Sequence, residues 1–223
     1  MEALLDEEPE PPGAAFGGEE TVALEPTVQM GALGVRRDEA AAEALLRQAQ
    51  PGYDVTMASA YFNLSERLAA LLSATGAVAG RPVTAVVASA AANAWAGASG
   101  SSRHVVAGYA RLLLPVLASG SVRVLEWHRP GWSFHCKGMW RLGPASAATL
   151  IGSGNLGLRS QRRDLEVSAV LTGSGPRFRA ALSGELARLL VVAKPVARSD
   201  VERHAAALPR GWRLVLPAIK RFM

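Results

Sequence analysis

The stretch "SFHCKGMWRL", residues 133–142, sets a histidine and a lysine two positions apart inside an apolar run, and "LIGSGNLGLRS", residues 150–160, follows it. A run of this length with an apolar alternate face has the period of a β-strand, so it predicts His135, Lys137 and Met139 on one face and Phe134, Cys136 and Gly138 on the other. The chain has only four histidines and three lysines, and one of each falls here. A neutral imidazole beside a cationic amine can act as nucleophile or proton donor next to a phosphate clamp. A lone strand histidine is more often a hydrogen-bonded core residue, so the flanking chain has to decide.

The next strand ends in Gly152-Ser153-Gly154-Asn155, which predicts a tight turn with backbone N–H groups facing an anion and two side-chain donors beside them. Arg159, Arg162 and Arg163 follow, then Asp164 and Glu166. Outward from this centre, strands and helices alternate. Helical patterns cover 37–50, 63–75, 102–117, 176–192, 199–207 and 212–222, and strand patterns cover 53–60, 82–89, 121–127, 148–152 and 165–171. The expected architecture is a layered α/β domain with a mixed β-sheet flanked by helices. The three strand-like runs crowded between 133 and 171 predict that part of the sheet is antiparallel.

Composition narrows the partners. Hydrophobic residues make up 49% of the 223 positions and charged residues 19%, enough for a sizeable core. Residues 1–25 carry eight acids and no base, with Pro and Gly, and are expected to be a disordered acidic linker or tail. The domain from residue 26 to 223 then holds 24 bases against 11 acids, and an anionic partner is expected: a phosphorylated molecule, nucleic acid or an anionic membrane surface. Aromatics for base stacking are few, at 6%, which makes nucleic acid the unlikely member of that set. Cys136 is the one cysteine, so no internal disulfide forms. No apolar run approaches the ~18 residues of a spanning helix, and the acidic start is the reverse of a secretory signal or an Arg-rich transit peptide. No cofactor is identifiable, and no His/Cys/carboxylate cluster has metal-ligand spacing. A divalent-cation requirement stays open.

H-x-K, then G-S-x-N about fifteen residues on, then an acid on the following strand, resembles the active-site half-motif of the phospholipase D superfamily. "ASAYFNLSERL", "RPGWSFHCKGMW", "TLIGSGNLGLRSQRRDLEVSAVLTG" and "WRLVLPAIKRF" together resemble the C-terminal half of the eukaryotic-type phosphatidylglycerophosphate synthases. That likeness implies a phospholipase D-like half-domain over 26–223, with its catalytic motif in 129–171. It implies phosphatidyl transfer from CDP-diacylglycerol to glycerol 3-phosphate at a peripheral site on the mitochondrial inner membrane. It also implies His135 as a catalytic histidine, Lys137 and Asn155 as phosphate ligands with Ser153 and Arg159 beside them, and Glu166 as the group that orients a histidine.

Two departures matter. Leu142 stands where the superfamily usually has an aspartate five places after the lysine, and the narrower synthase family also tends to lack that aspartate. The larger departure is the missing second H-x-K: His104, His128 and His204 have no lysine two positions later. This predicts half an active site, completed by a first-half domain in cis or by a homodimer. A single-motif phosphodiesterase or nuclease acting as a homodimer, and a non-catalytic lipid-binding half-domain, are the alternatives.

Overall fold

The computed structural model describes residues 20–120 and 122–222, so most of the expected acidic linker lies outside the described residues. Among the described residues nine strands form one mixed sheet: β1 Val22–Met30, β2 Val35–Arg36, β3 Asp54–Ser59, β4 Val83–Ala88, β5 Val122–Trp127, β6 Lys137–Leu142, β7 Ala147–Gly152, β8 Leu165–Gly173 and β9 Ala193–Pro195. Their order is β2-β1-β8-β7-β6-β3-β4-β5-β9. β3, β4 and β5 run parallel, and every other neighbouring pair is antiparallel. The sheet starts at Val22, four residues before the expected boundary, because β1 pairs along its whole length with β8.

Among the described residues seven α-helices cover the sheet: α1 Arg37–Arg47, α2 Glu66–Ala79, α3 Val105–Ser119, α4 Leu158–Arg162, α5 Pro176–Leu190, α6 Arg198–Ala206 and α7 Arg210–Ile219. α2 and α3 are the crossovers that parallel pairing of β3, β4 and β5 demands. The Ser65 hydroxyl caps α2 by accepting from the Leu68 N–H, and Gly80 ends that helix in the left-handed region at φ 73°. Such a cap is worth about 1 kcal/mol.

Side-chain alternation sorts the core into two layers. On one face, Met57, Met139 and Leu150 meet Leu45 and Leu46 of α1, Leu72 of α2 and Leu113 of α3. On the other, Trp140 and Ala147 meet Phe178, Leu182 and Leu186 of α5. Trp140 is 1% exposed, and its indole N–H donates to Glu185 at 2.9 Å, so the largest buried side chain is also hydrogen-bonded.

Two local expectations change. The strand expected at 133–142 begins only at Lys137. The Phe134 N–H is taken by the Ala92 carbonyl at 2.8 Å and its ring packs on Trp127, which draws residues 133–136 off the ladder. The last helix, expected over 212–222, is α7 over Arg210–Ile219, and it continues through Pro217. The apolar side of α7 packs on the domain through Leu216, Trp212 and Ile219, while Leu214 is 83% exposed. Arg213 donates to the Leu208 and Ala206 carbonyls and so closes the end of α6 rather than standing free. Among the described residues no helix is long and apolar enough to cross a membrane.

Candidate active site

The predicted site residues come together at one end of the sheet, where β3 and β7 finish and β6 and β8 begin. Lys137 is the first residue of β6 and pairs with Ser59, the last of β3. Its ammonium lies 3.1 Å from both ring nitrogens of His135 and 3.2 Å from the His135 carbonyl, to which it donates. His135 is therefore not on a buried strand face; it stands exposed just ahead of the strand, with Lys137 half-buried beneath it. Tyr61 meets the imidazole edge-on, with ring centroids 6.5 Å apart.

Electrostatics favour a neutral imidazole. Burial lowers the His135 pKa from its ordinary 6.5, and the Lys137 charge lowers it further. Burial also lowers the pKa of Lys137, against the opposing pull of the Glu166 carboxylate. The Lys137→Met variant removes the neighbouring cation, which had penalised the imidazolium. The His135 resonance in a pH-titrated NMR spectrum is accordingly expected to titrate below 6.5 in the parent chain and to move upward in the variant. An unchanged titration would show that the two groups do not share a field.

Glu166 is buried on β8, and the Ser153 hydroxyl donates to it at 2.5 Å. The same hydroxyl accepts from the Val167 N–H at 3.0 Å, so Ser153 rivets the end of β7 to β8. No hydrogen bond joins Glu166 to a histidine among the described residues; its partner in this chain is Ser153. Asn155 accepts from the Ser59 hydroxyl at 3.4 Å through its side-chain oxygen. Arg159 is exposed and directed to Asp164, 3.1 Å away, rather than to Lys137.

The Gly152–Asn155 turn differs from the expected anion nest. The Ser153, Asn155, Leu156 and Gly157 N–H groups donate to Val167 O, Ser160 Oγ, Ser59 Oγ and Asn155 O, so those four are committed inside the protein. Neither Gly152 nor Gly154 has positive φ. Gly152 is required for a different reason: a Cβ there would fall 2.1 Å from Ser168 Oγ and 2.6 Å from Ser168 Cα.

Sequence reasoning passed over the supporting residues. Ser59 is fully buried; its hydroxyl accepts from the Leu156 N–H at 3.1 Å and donates to the Tyr61 carbonyl at 3.0 Å, with the Asn155 side-chain oxygen as a longer second acceptor. Ser168 donates to Asp38 at 2.6 Å, and the Gln29 amide donates to the Gln161 carbonyl at 2.6 Å, tying α1 and α4 to the back of the site. The available signal was a polar residue at an inward strand position: Ser59 closes the apolar run of β3, and Ser168 lies two places after Glu166. The other histidines serve elsewhere: His104 packs on Trp212, His128 meets Ser89, and His204 meets the Asp200 carbonyl.

The mixed sheet with helices on both faces, carrying the H-x-K pair and the Asn155 turn at one end, has a phospholipase D-like fold. Solved structures share the fold. Phosphatidylserine synthase of Haemophilus influenzae superposes with a TM-score of 0.73 at 19% identity, over 91% of this chain and 48% of that one. Nuc of Salmonella typhimurium, a phospholipase D family member, superposes with a TM-score of 0.51 at 12% identity, over 79% of this chain and 99% of that one. No protein-family model matches the chain.

In sequence the chain is similar to proteins named as CDP-diacylglycerol–glycerol-3-phosphate 3-phosphatidyltransferases. It is 30% identical to the mitochondrial enzyme of Homo sapiens over 207 residues and 29% identical to that of Gallus gallus, in each case over 88% of this chain. A probable member from Dictyostelium discoideum is 30% identical over 74% of the chain. The chain spans about a third of the length of these relatives: 36% of the human and chicken proteins and 30% of the Dictyostelium one.

Proposed function

We propose that this chain supplies one half of the active site of an enzyme that moves a phosphatidyl group from CDP-diacylglycerol to glycerol 3-phosphate, releasing CMP. The observation that carries the reading is the Lys137 ammonium held over a pKa-lowered imidazole in a chain whose relatives bear that activity in their names. In the proposed mechanism one of two imidazoles, His135 or its counterpart in a first-half domain, attacks the phosphatidyl phosphorus. The P–O bond to CMP breaks, and the second imidazole protonates the leaving oxygen. A hydroxyl of glycerol 3-phosphate then attacks the same phosphorus and gives its proton to that second imidazole, so that a new P–O bond forms as the P–N bond breaks and frees the first imidazole. Lys137 and the Asn155 amide bind the nonbridging oxygens as charge develops on them. Glu166, fixed by Ser153, orients the incoming histidine of the completing half.

The lipid donor requires access to a bilayer. The outward Leu214 of α7 and the basic excess suit docking on an anionic membrane surface, and the relatives' mitochondrial names suit the inner membrane of that organelle. In-line displacement needs attack and protonation on opposite sides of phosphorus, and one H-x-K provides a single imidazole. The isolated chain is expected to release no CMP above background from CDP-diacylglycerol and glycerol 3-phosphate, and to do so once a first-half domain is added. Full turnover by a purified monomer would overturn the half-site. Dimerisation with cleavage of DNA would favour the nuclease reading instead.

A further inference from the structure

We infer that the cleft beside His135 is a cytidine-nucleotide site that holds the leaving CMP, an assignment that rests on the phosphatidyl-transfer reading. The cleft has a volume of about 480 Å³, and Tyr61, Trp95, Tyr109 and Phe222 line it together with Asn155 and Arg159. That volume falls within the range of small-ligand pockets, roughly 300–1,000 Å³. It suits one nucleotide and is too small for a pair of acyl chains.

The walls favour a flat, polar-edged ligand. Tyr61 and Tyr109 stack with centroids 5.2 Å apart and planes 29° from parallel, which builds a broad aromatic surface. Burial raises the pKa of both phenols, so neither places a negative charge against a phosphate. The Arg163 guanidinium lies over the Phe222 ring, 4.1 Å from its centroid. The 3-10 turn that carries Phe222 is tied down where the Asn63 amide donates to the Lys220 carbonyl at 2.5 Å. Asp164 also lines the cleft, in its ion pair with Arg159. A hydrocarbon chain packed there would strip water from that pair without replacing it.

A pyrimidine uses every one of these features. Its face stacks on the aromatic wall. The exocyclic amine of cytosine donates to a carboxylate, the usual way an Asp reads that base, and Asp164 is the carboxylate at hand. Asn155 belongs both to the cleft and to the phosphate-binding set, and Tyr61 touches both the cleft and His135. A base seated in the cleft therefore leaves its phosphate beside the imidazole, where the P–O bond to CMP has to break.

The test is calorimetric titration of this chain with CMP, UMP and inorganic phosphate, repeated on Trp95→Ala, Trp95→Phe and Asp164→Asn, each shown by circular dichroism to be folded. Base–aromatic stacking is worth ~1–3 kcal/mol on truncation, so Trp95→Ala is expected to weaken CMP about tenfold and leave phosphate unchanged. Trp95→Phe should recover most of the affinity. CMP should bind more tightly than UMP, and Asp164→Asn should narrow that gap. Equal affinity for CMP and phosphate, or CMP binding indifferent to Trp95→Ala in a folded protein, would overturn the site. Phosphatidyl transfer by the completed enzyme, measured separately, distinguishes the two failures. Transfer without a CMP site refutes this assignment alone, and CMP binding without transfer refutes the activity.

Discussion

His135→Ala in the completed enzyme is expected to lower kcat by at least the ~10²–10⁴ typical of losing a general acid or base, and by more if His135 is the nucleophile. The fold should survive, because His135 is exposed ahead of β6 and lies outside the buried core. Two companions give the number its meaning. Lys137→Met, with an apolar chain of similar length at the half-buried start of β6, should remove phosphate binding with little change in melting temperature. Glu166→Gln keeps a side chain that can accept from Ser153, so its loss of rate should be smaller than that of His135→Ala. The measurement is steady-state CMP release together with thermal unfolding of each variant. A protein that tolerates His135→Ala but unfolds with Lys137→Met would assign the H-x-K pair to packing rather than chemistry.

Gly152→Ala is expected to destabilise the domain by about 1–3 kcal/mol, the cost of forcing a methyl group into a filled site. The added Cβ would meet the Cα and side chain of Ser168, which is paired directly across the β7–β8 ladder. Backbone cannot swing aside as a flexible side chain can, so β8 has to shift. Its displacement would carry Glu166 away from Ser153 and the site would lose activity with stability. Gly154→Ala is the control, since its Cβ would meet Glu166 and Asp38 atoms only at 3.5–3.8 Å, ordinary contact distances. Urea unfolding of the two variants should therefore separate them clearly. Equal stability would mean that the turn, rather than the strand contact, explains the glycines.

The grouping of the candidate site residues was legible in the sequence because it depends on side-chain identity at short spacing. His135, Lys137, Ser153, Asn155 and Glu166 lie within 32 positions, and the strand periods between them bring them to one sheet end without any long-range information. The α/β class was equally legible, since period and capping residues such as Ser65 and Gly80 act within a few positions. β1 was not, because a glutamate and a proline interrupt VALEPTVQM at its middle; pairing with β8 from Val22 to Met30 makes it a strand. An edge position is also where a strand proline is tolerated, but here β2 covers only the far end of β1.

The amino-acid sequence by itself determined which reactive groups the chain owns, that it owns a single H-x-K, and that helices and strands alternate around it. Those properties are local, fixed by covalent spacing and by the two backbone periods. Tertiary structure alone decided how the groups are aimed. A hydrogen bond from Phe134 to Ala92 lifts His135 out of the strand, and Ser59, 96 positions away, reaches Asn155. The loop N–H groups expected to bind an anion are spent on partners such as Ser160 and Val167, and an aromatic cleft joins residues 61, 95, 109 and 222 beside the imidazole. Each of these is a contact between segments remote in the chain. Its geometry depends on how the sheet and helices pack, because a buried donor must find its acceptor wherever the fold has put one.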